Sequence, residues 1–163
     1  MPESRKHRHP GQQLPMTEPA VSHRPPDEVV RVVRREELSS QTGQSHGVER
    51  LTGVQPGGQA SSAALWFGRV ANAPGTRSVP HHHGEAETGG YVVSGHARIS
   101  WGGEFQHHVD MESGDFCYVP AHLVHIEANL SDTEPLVFLT CRTPDNIVVN
   151  LPDVEYERTE RCD

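Results

Sequence analysis

The sequence predicts an all-β fold, an antiparallel double sheet that closes on itself as a sandwich or barrel. Three observations predict it. Short β-branched and aromatic runs recur through the chain, turn-forming residues separate them at roughly 8–12-residue spacing, and no long stretch carries a helical period.

Taken in order, the elements begin after a polar, proline-rich stretch. Residues 1–27 contain Pro2, Pro10, Pro15, Pro19, Pro25 and Pro26 and almost no apolar periodicity, so they are expected to form a disordered N-terminal arm. Its basic run Arg5-Lys6-His7-Arg8-His9 reads as a solvated tail. Residues 29–33 are β-branched and are expected to extend; a helical turn is expected near Arg35-Glu36-Glu37-Leu38. Residues 63–70 and 91–101 are richer strand candidates, followed by the shorter 116–119, 136–140 and 147–151. Turns are signalled at Gln55-Pro56-Gly57-Gly58, Ala73-Pro74-Gly75, Thr88-Gly89-Gly90, Gly102-Gly103, Ser113-Gly114-Asp115 and Thr143-Pro144-Asp145. The domain is thus expected over 28–152, with a charged C-terminal tail over 153–163 that frays.

Composition narrows the function. A chain of 163 residues accommodates one domain with a real core. Its net charge of -8 argues against nucleic acid as a partner, because a phosphate-binding surface needs a basic excess. No apolar run reaches the roughly 18 residues of a membrane span, and no apolar segment follows the N-terminal charges. Cys117, Cys141 and Cys162 form no CxxC pair, which fits reduced thiols in a cytoplasmic protein. The aromatic residues Trp66, Phe67, Tyr91, Trp101, Phe105, Phe116, Tyr118 and Phe138 are expected mostly in the core.

Histidine is the informative excess. Of the chain's 12 histidines, His81, His82, His83, His96, His107, His108, His122 and His125 crowd into one region. Imidazole is the most versatile protein ligand for first-row metals, so the crowding points to a metal site. In an extended Val79-Pro80-His81-His82-His83 segment, side chains alternate faces, so His81 and His83 share one face and His82 takes the other. Two imidazoles on one face can converge on one ion, with His125 supplying a third ligand from a distant strand.

In the spacing of these histidines and the glycines around them, the sequence resembles the cupin superfamily. Gly75, five residues, His81-His82-His83, three residues and Glu87 follow its first signature, although seven residues rather than six then precede Gly95. Gly114, five residues, Pro120, then His125 and, after three residues, Asn129 follow its second, with His122 where a glycine is expected. The resemblance covers roughly positions 62–140 and implies a jelly-roll β-barrel. It also implies a homodimer formed through N-terminal strands. It further implies one divalent transition metal (Zn, Fe, Mn, Ni or Co) held by His81, His83, Glu87 and His125. Counting back from Gly95 lands on Thr88, so Glu87 turns inward only if a bulge at Gly89-Gly90 shifts the register. Otherwise the site has three histidines alone, or draws a fourth from His107 or His108.

The stretches His-His-His-Gly-Glu-Ala-Glu-Thr, Tyr-Val-Val-Ser-Gly and Gly-Asp-Phe-Cys-Tyr-Val-Pro resemble small single-domain bacterial cupins. That resemblance implies a metal-dependent enzyme acting on a small apolar or aromatic oxygenated substrate, in the first place by polyketide-cyclase-like cyclisation with loss of water. Ring opening by dioxygen, as in quercetinase-like dioxygenases, is the alternative enzyme reading, and a non-catalytic sugar- or small-ligand-binding cupin is the reading from another class. The general acid–base candidates are His108, His122, Tyr118 and Glu104.

Overall fold

Strand-forming runs and the glycines between them fold into two facing sheets. The computed structural model describes residues 30–45 and 47–154, so the arm expected over 1–27 and residues 155–163 of the expected tail lie outside the described residues. In chain order the strands are β1 (Val48–Pro56), β2 (Ala60–Ser62), β3 (Trp66–Asn72), β4 (His81–His82), β5 (Glu87–Ser94), β6 (His96–Trp101), β7 (His107–Glu112), β8 (Phe116–Val119), β9 (His125–Asn129), β10 (Leu136–Thr143) and β11 (Val149–Asn150). One sheet has the order β2-β1-β3-β10-β5-β8 and the other β11-β4-β9-β6-β7. Every pairing is antiparallel except β1 with β2, which gives the double-stranded jelly roll expected from the sequence.

Local features differ from the expectation, and the turn expected at Thr88-Gly89-Gly90 is instead the interior of β5, paired on both sides. The run over 91–101 is two strands hinged at Gly95, whose φ of 93° only glycine adopts without strain. The described part of the 29–33 run forms no strand: Val30 and Val32 are exposed at 91% and 58%, and β-branching without a pairing partner does not suffice. Next to it the expected helical turn is present as a short 3-10 turn, Arg35–Glu37.

Alternation along each strand builds the interior. Trp66 and Val70 of β3, Val92 of β5, Ala97 and Ile99 of β6, Met111 of β7, Val119 of β8 and Leu136 and Phe138 of β10 form one buried cluster. Phe67, Phe116 and Tyr118 fall on the alternate face and are exposed, against the expectation that they fill the core. Their strand neighbours Trp66, Cys117 and Val119 take the inward positions instead. No helix among the described residues is long and apolar enough to cross a membrane.

Candidate metal centre

Pairing brings distant histidines together. His81 on β4 lies directly opposite His125 on β9, and His83 follows β4 on the same side as His81. All three are buried, while His82 between them is half-buried, as the two-residue period of an extended chain requires. Ring centroids are 4.4 Å apart for His81–His125 and 5.1 Å for both His81–His83 and His83–His125. Along β9 the same period carries Glu127 inward beside His125. Ser78 fixes that stretch: its backbone N–H donates to the Glu127 carbonyl at 2.8 Å, and its Oγ accepts from the Glu127 N–H at 3.0 Å.

Each imidazole is held in one tautomer. His81 Nδ1 lies 3.0 Å from the Val79 carbonyl, His83 Nδ1 2.8 Å from that of Ile147, and His125 Nδ1 2.8 Å from that of Leu123. A carbonyl only accepts, so each Nδ1 carries the proton and each Nε2 presents a lone pair. His81 Nε2, His125 Nε2 and Glu127 Oε2 are buried without a hydrogen-bond partner. His83 Nε2 meets Nη2 of Arg142 at 3.2 Å. One potential ligand atom from each of His81, His83, His125 and Glu127 lies within 4.8 Å of the others. Orphaned buried lone pairs are destabilising unless something occupies the point they share, and a divalent cation fits a donor set of three imidazoles and a carboxylate. The carbonyl bonds behind the rings are the support such ligands ordinarily receive.

Burial governs the charges. It pushes the His81 imidazole down to about 3, with the neighbouring His125 adding to the effect. His83 and His125 are lowered for the same first reason, and the Arg142 charge depresses His83 further. Neutral imidazoles are what a metal requires. Burial alone would raise Glu127, but Arg50, then His81, His125 and Arg142, bring it net below the ordinary carboxylate value, so it is ionised.

Glu87 requires a correction. Pairing runs without a break through Thr88, Gly89 and Gly90 against both β10 and β8, so no bulge occurs there and the inward residue is Thr88. Glu87 is exposed, and its Oε1 accepts the Tyr118 hydroxyl at 2.6 Å. The carboxylate beside the three histidines is Glu127, which the signature spacing passes over although it stands two positions after His125. The acid–base candidates all lie outside the buried cluster. Tyr118 faces outward with Glu87, His108 and Glu104 are exposed, and His122 is exposed with its ring 6.2 Å from that of His82. His107, also exposed, lies against Trp101 at 6.0 Å and offers the cluster no fourth histidine. Among the described residues, the cationic side chains buried around the cluster are Arg50 on β1 and Arg142 on β10.

Comparison with known proteins agrees with this geometry. Residues 68–141 match the family model described as Cupin domain. A protein of Klebsiella pneumoniae with a double-stranded β-helix domain is 20% identical, with a TM-score of 0.53 over 67% of this chain and 89% of that one. Oxalate decarboxylase from Bacillus subtilis is 27% identical, with a TM-score of 0.54 over 66% of this chain. A structure of the same enzyme studied for its Mn(II) centres is also 27% identical, with a TM-score of 0.55. This chain spans only 28% of the decarboxylase chain. No curated protein sequence matches it. Together the family match and the shared fold support the cupin superfamily.

Proposed function

We propose that this chain of the cupin fold is a metal-dependent enzyme for a small oxygenated substrate, with one divalent ion (Zn, Fe, Mn, Ni or Co) held by His81, His83, His125 and Glu127. One observation carries the reading: three imidazoles locked in the same tautomer present Nε2 lone pairs toward a common point beside a buried carboxylate. A barrel kept only for its packing has no use for that arrangement, since apolar residues of similar volume would cost less to bury. A divalent ion there would supply Lewis acidity toward a carbonyl or enolate oxygen. The chain's own part is to fix the ligand tautomers through the Val79, Ile147 and Leu123 carbonyls and to keep Glu127 ionised beside Arg50.

For the reaction, the reading adopted is polyketide-cyclase-like: cyclisation of a poly-β-carbonyl substrate with loss of water, where Lewis acidity at an enolisable carbonyl is the chief demand. Ring opening by dioxygen is the second reading, favoured by an all-nitrogen-and-oxygen ligand set that suits Fe(II) and Mn(II). A neutral sugar is a poorer ligand, because it would leave the buried guanidinium charges uncompensated.

Elemental analysis of untagged protein tests the metal. Wild type is expected to hold about one ion per chain, His125→Ala to lose it, Glu127→Gln to bind roughly tenfold to hundredfold more weakly, and Glu87→Gln to match wild type. Metal-free wild type, or metal retained in His125→Ala, overturns the proposal. Product analysis beside an oxygen electrode, with a poly-β-ketone and with a flavonol, then separates the two reactions.

A further inference from the structure

The interior around the cluster carries more positive charge than its residues neutralise. Among the described residues its buried charged side chains are Arg50, Arg142 and Glu127, beside three imidazoles each held through Nδ1 on a backbone carbonyl, so two guanidinium groups face a single carboxylate. A divalent ion would add two more positive charges. Buried charge of one sign is strongly unfavourable without a counterion, and among the described residues no further carboxylate is buried there.

Each arginine brings one guanidinium nitrogen to a residue of the cluster. Arg142 Nε donates to Thr88 Oγ1 at 3.1 Å, Nη1 donates to Asn146 Oδ1, and the Trp66 ring lies 5.3 Å beneath the guanidinium carbon. Those contacts hold the group in place. Its remaining nitrogen, Nη2, donates to His83 Nε2 at 3.2 Å, the lone pair that a cation would take. Once that lone pair is engaged, Nη2 is a buried charged donor in search of an acceptor, already beside the centre. Arg50 is fixed through Nη1, which donates to Ser45 Oγ at 2.7 Å, while its Nε and Nη2 are buried with no hydrogen-bond partner. Arg50 Nη2 stands 3.9 Å from Glu127 Oε2, an ion pair too long for a hydrogen bond.

Building on the metal reading above, we propose that the centre takes an oxyanion as its exogenous ligand, a carboxylate or the enolate of a β-dicarbonyl, and that Arg142 is the specificity-determining residue for it, with Arg50 supplying the second positive charge. A two-oxygen anion matches both demands. One oxygen would bind the ion held by His81, His83, His125 and Glu127, and the other would accept from the planar guanidinium of Arg142, whose donor fork suits such groups. Thr88 stands at the inward register position of β5, and its hydroxyl accepts from Arg142 of β10 and so holds the guanidinium in the interior.

The test uses the full chain reconstituted with Co(II), whose visible spectrum reports ligand exchange. It is titrated with acetate, acetylacetone and, as a neutral control, glycerol. The expected result is a saturable spectral change with acetate or acetylacetone and none with glycerol. Response to acetate alone assigns a carboxylate, and response to acetylacetone alone an enolate. Arg142→Met is expected to keep its Co(II) and bind the anion roughly tenfold to hundredfold more weakly, the loss of one charge-assisted hydrogen bond, with partial recovery in Arg142→Lys. Equal affinity in Arg142→Met with Co(II) intact overturns the inference alone, and so does a wild type that prefers glycerol, which needs no variant to fold. A wild type that takes up no Co(II) overturns the metal reading, and this inference falls with it.

Discussion

Strand β10 passes through two different interiors. Its inward residues Leu136 and Phe138 lie beside Val70 and Val92 in the apolar cluster, whereas Arg142, farther along, lies between Trp66 and Thr88 beside His83. At the first end, burial of hydrocarbon stabilises the fold, and the exception is Asn72, paired with Leu136 and buried with neither side-chain amide atom partnered. At the second, side chains from both sheets bury two guanidinium groups, three imidazoles and a carboxylate, several of whose polar atoms have no hydrogen-bond partner. The contrast teaches where stability and chemistry are separated: the apolar end holds the sheets together, and the polar end is held in place by it, at a cost in stability that a bound cation and anion would offset.

Three measurements break or sharpen that contrast. The largest effect is expected at the apolar end. Phe138→Ala should lower the unfolding free energy by about 3–5 kcal/mol by leaving a cavity. Urea denaturation should show the same loss at pH 7.5 and at pH 5.5, because no titrating group is touched. A loss that depends on pH would mean the two ends are coupled.

Next comes acid. In metal-free protein, His81, His83 and His125 have folded values below the ordinary 6.5, so the unfolded chain binds more protons than the folded one below that pH. Stability from these groups is therefore complete above pH 6.5 and falls as pH drops toward the folded values, about 3 for His81. At pH 5.5 His81 by itself should cost roughly 1.4 kcal/mol, and His83 and His125, lowered in the same direction, should add to that loss. The urea midpoint should fall accordingly, and saturating metal should suppress the fall. A flat profile between pH 7.5 and 5.5 would remove these rings from the interior.

The smallest effect is expected on the outer face. Glu87→Gln and Tyr118→Phe remove an exposed hydrogen bond and should change stability by no more than about 0.5 kcal/mol, with metal content unaltered. A loss of metal in either variant would return Glu87 to the site.

Part of this centre is legible in the amino-acid order alone. His81 and His83 share a face because extended chains alternate, and His125 stands at a matching distance from a glycine-bounded turn. Glu127 is equally accessible, since the rule that pairs His81 with His83 pairs His125 with Glu127, but the glutamate of the first signature points to Glu87 instead. Arg50 and Arg142 give no such sign. An arginine within a β-branched run ordinarily points to solvent, and a sequence does not say which face of its strand is covered. The exposed Phe116 and Tyr118 mislead in the opposite direction, being strand-forming residues on an uncovered face.

Residue order alone is enough for the period-two alternation, most of the turns that cut it into strands, and the local spacing that sets His81 and His83 together. Which of the two faces is inside was set by the packing of one sheet on the other. That choice depends on register against neighbouring strands, and a slip of one residue exchanges every inward side chain for an outward one. Pairing of Thr88 with Arg142 and with Val119 made that choice for β5, turning Glu87 to the surface and leaving the cluster's carboxylate to Glu127 on β9.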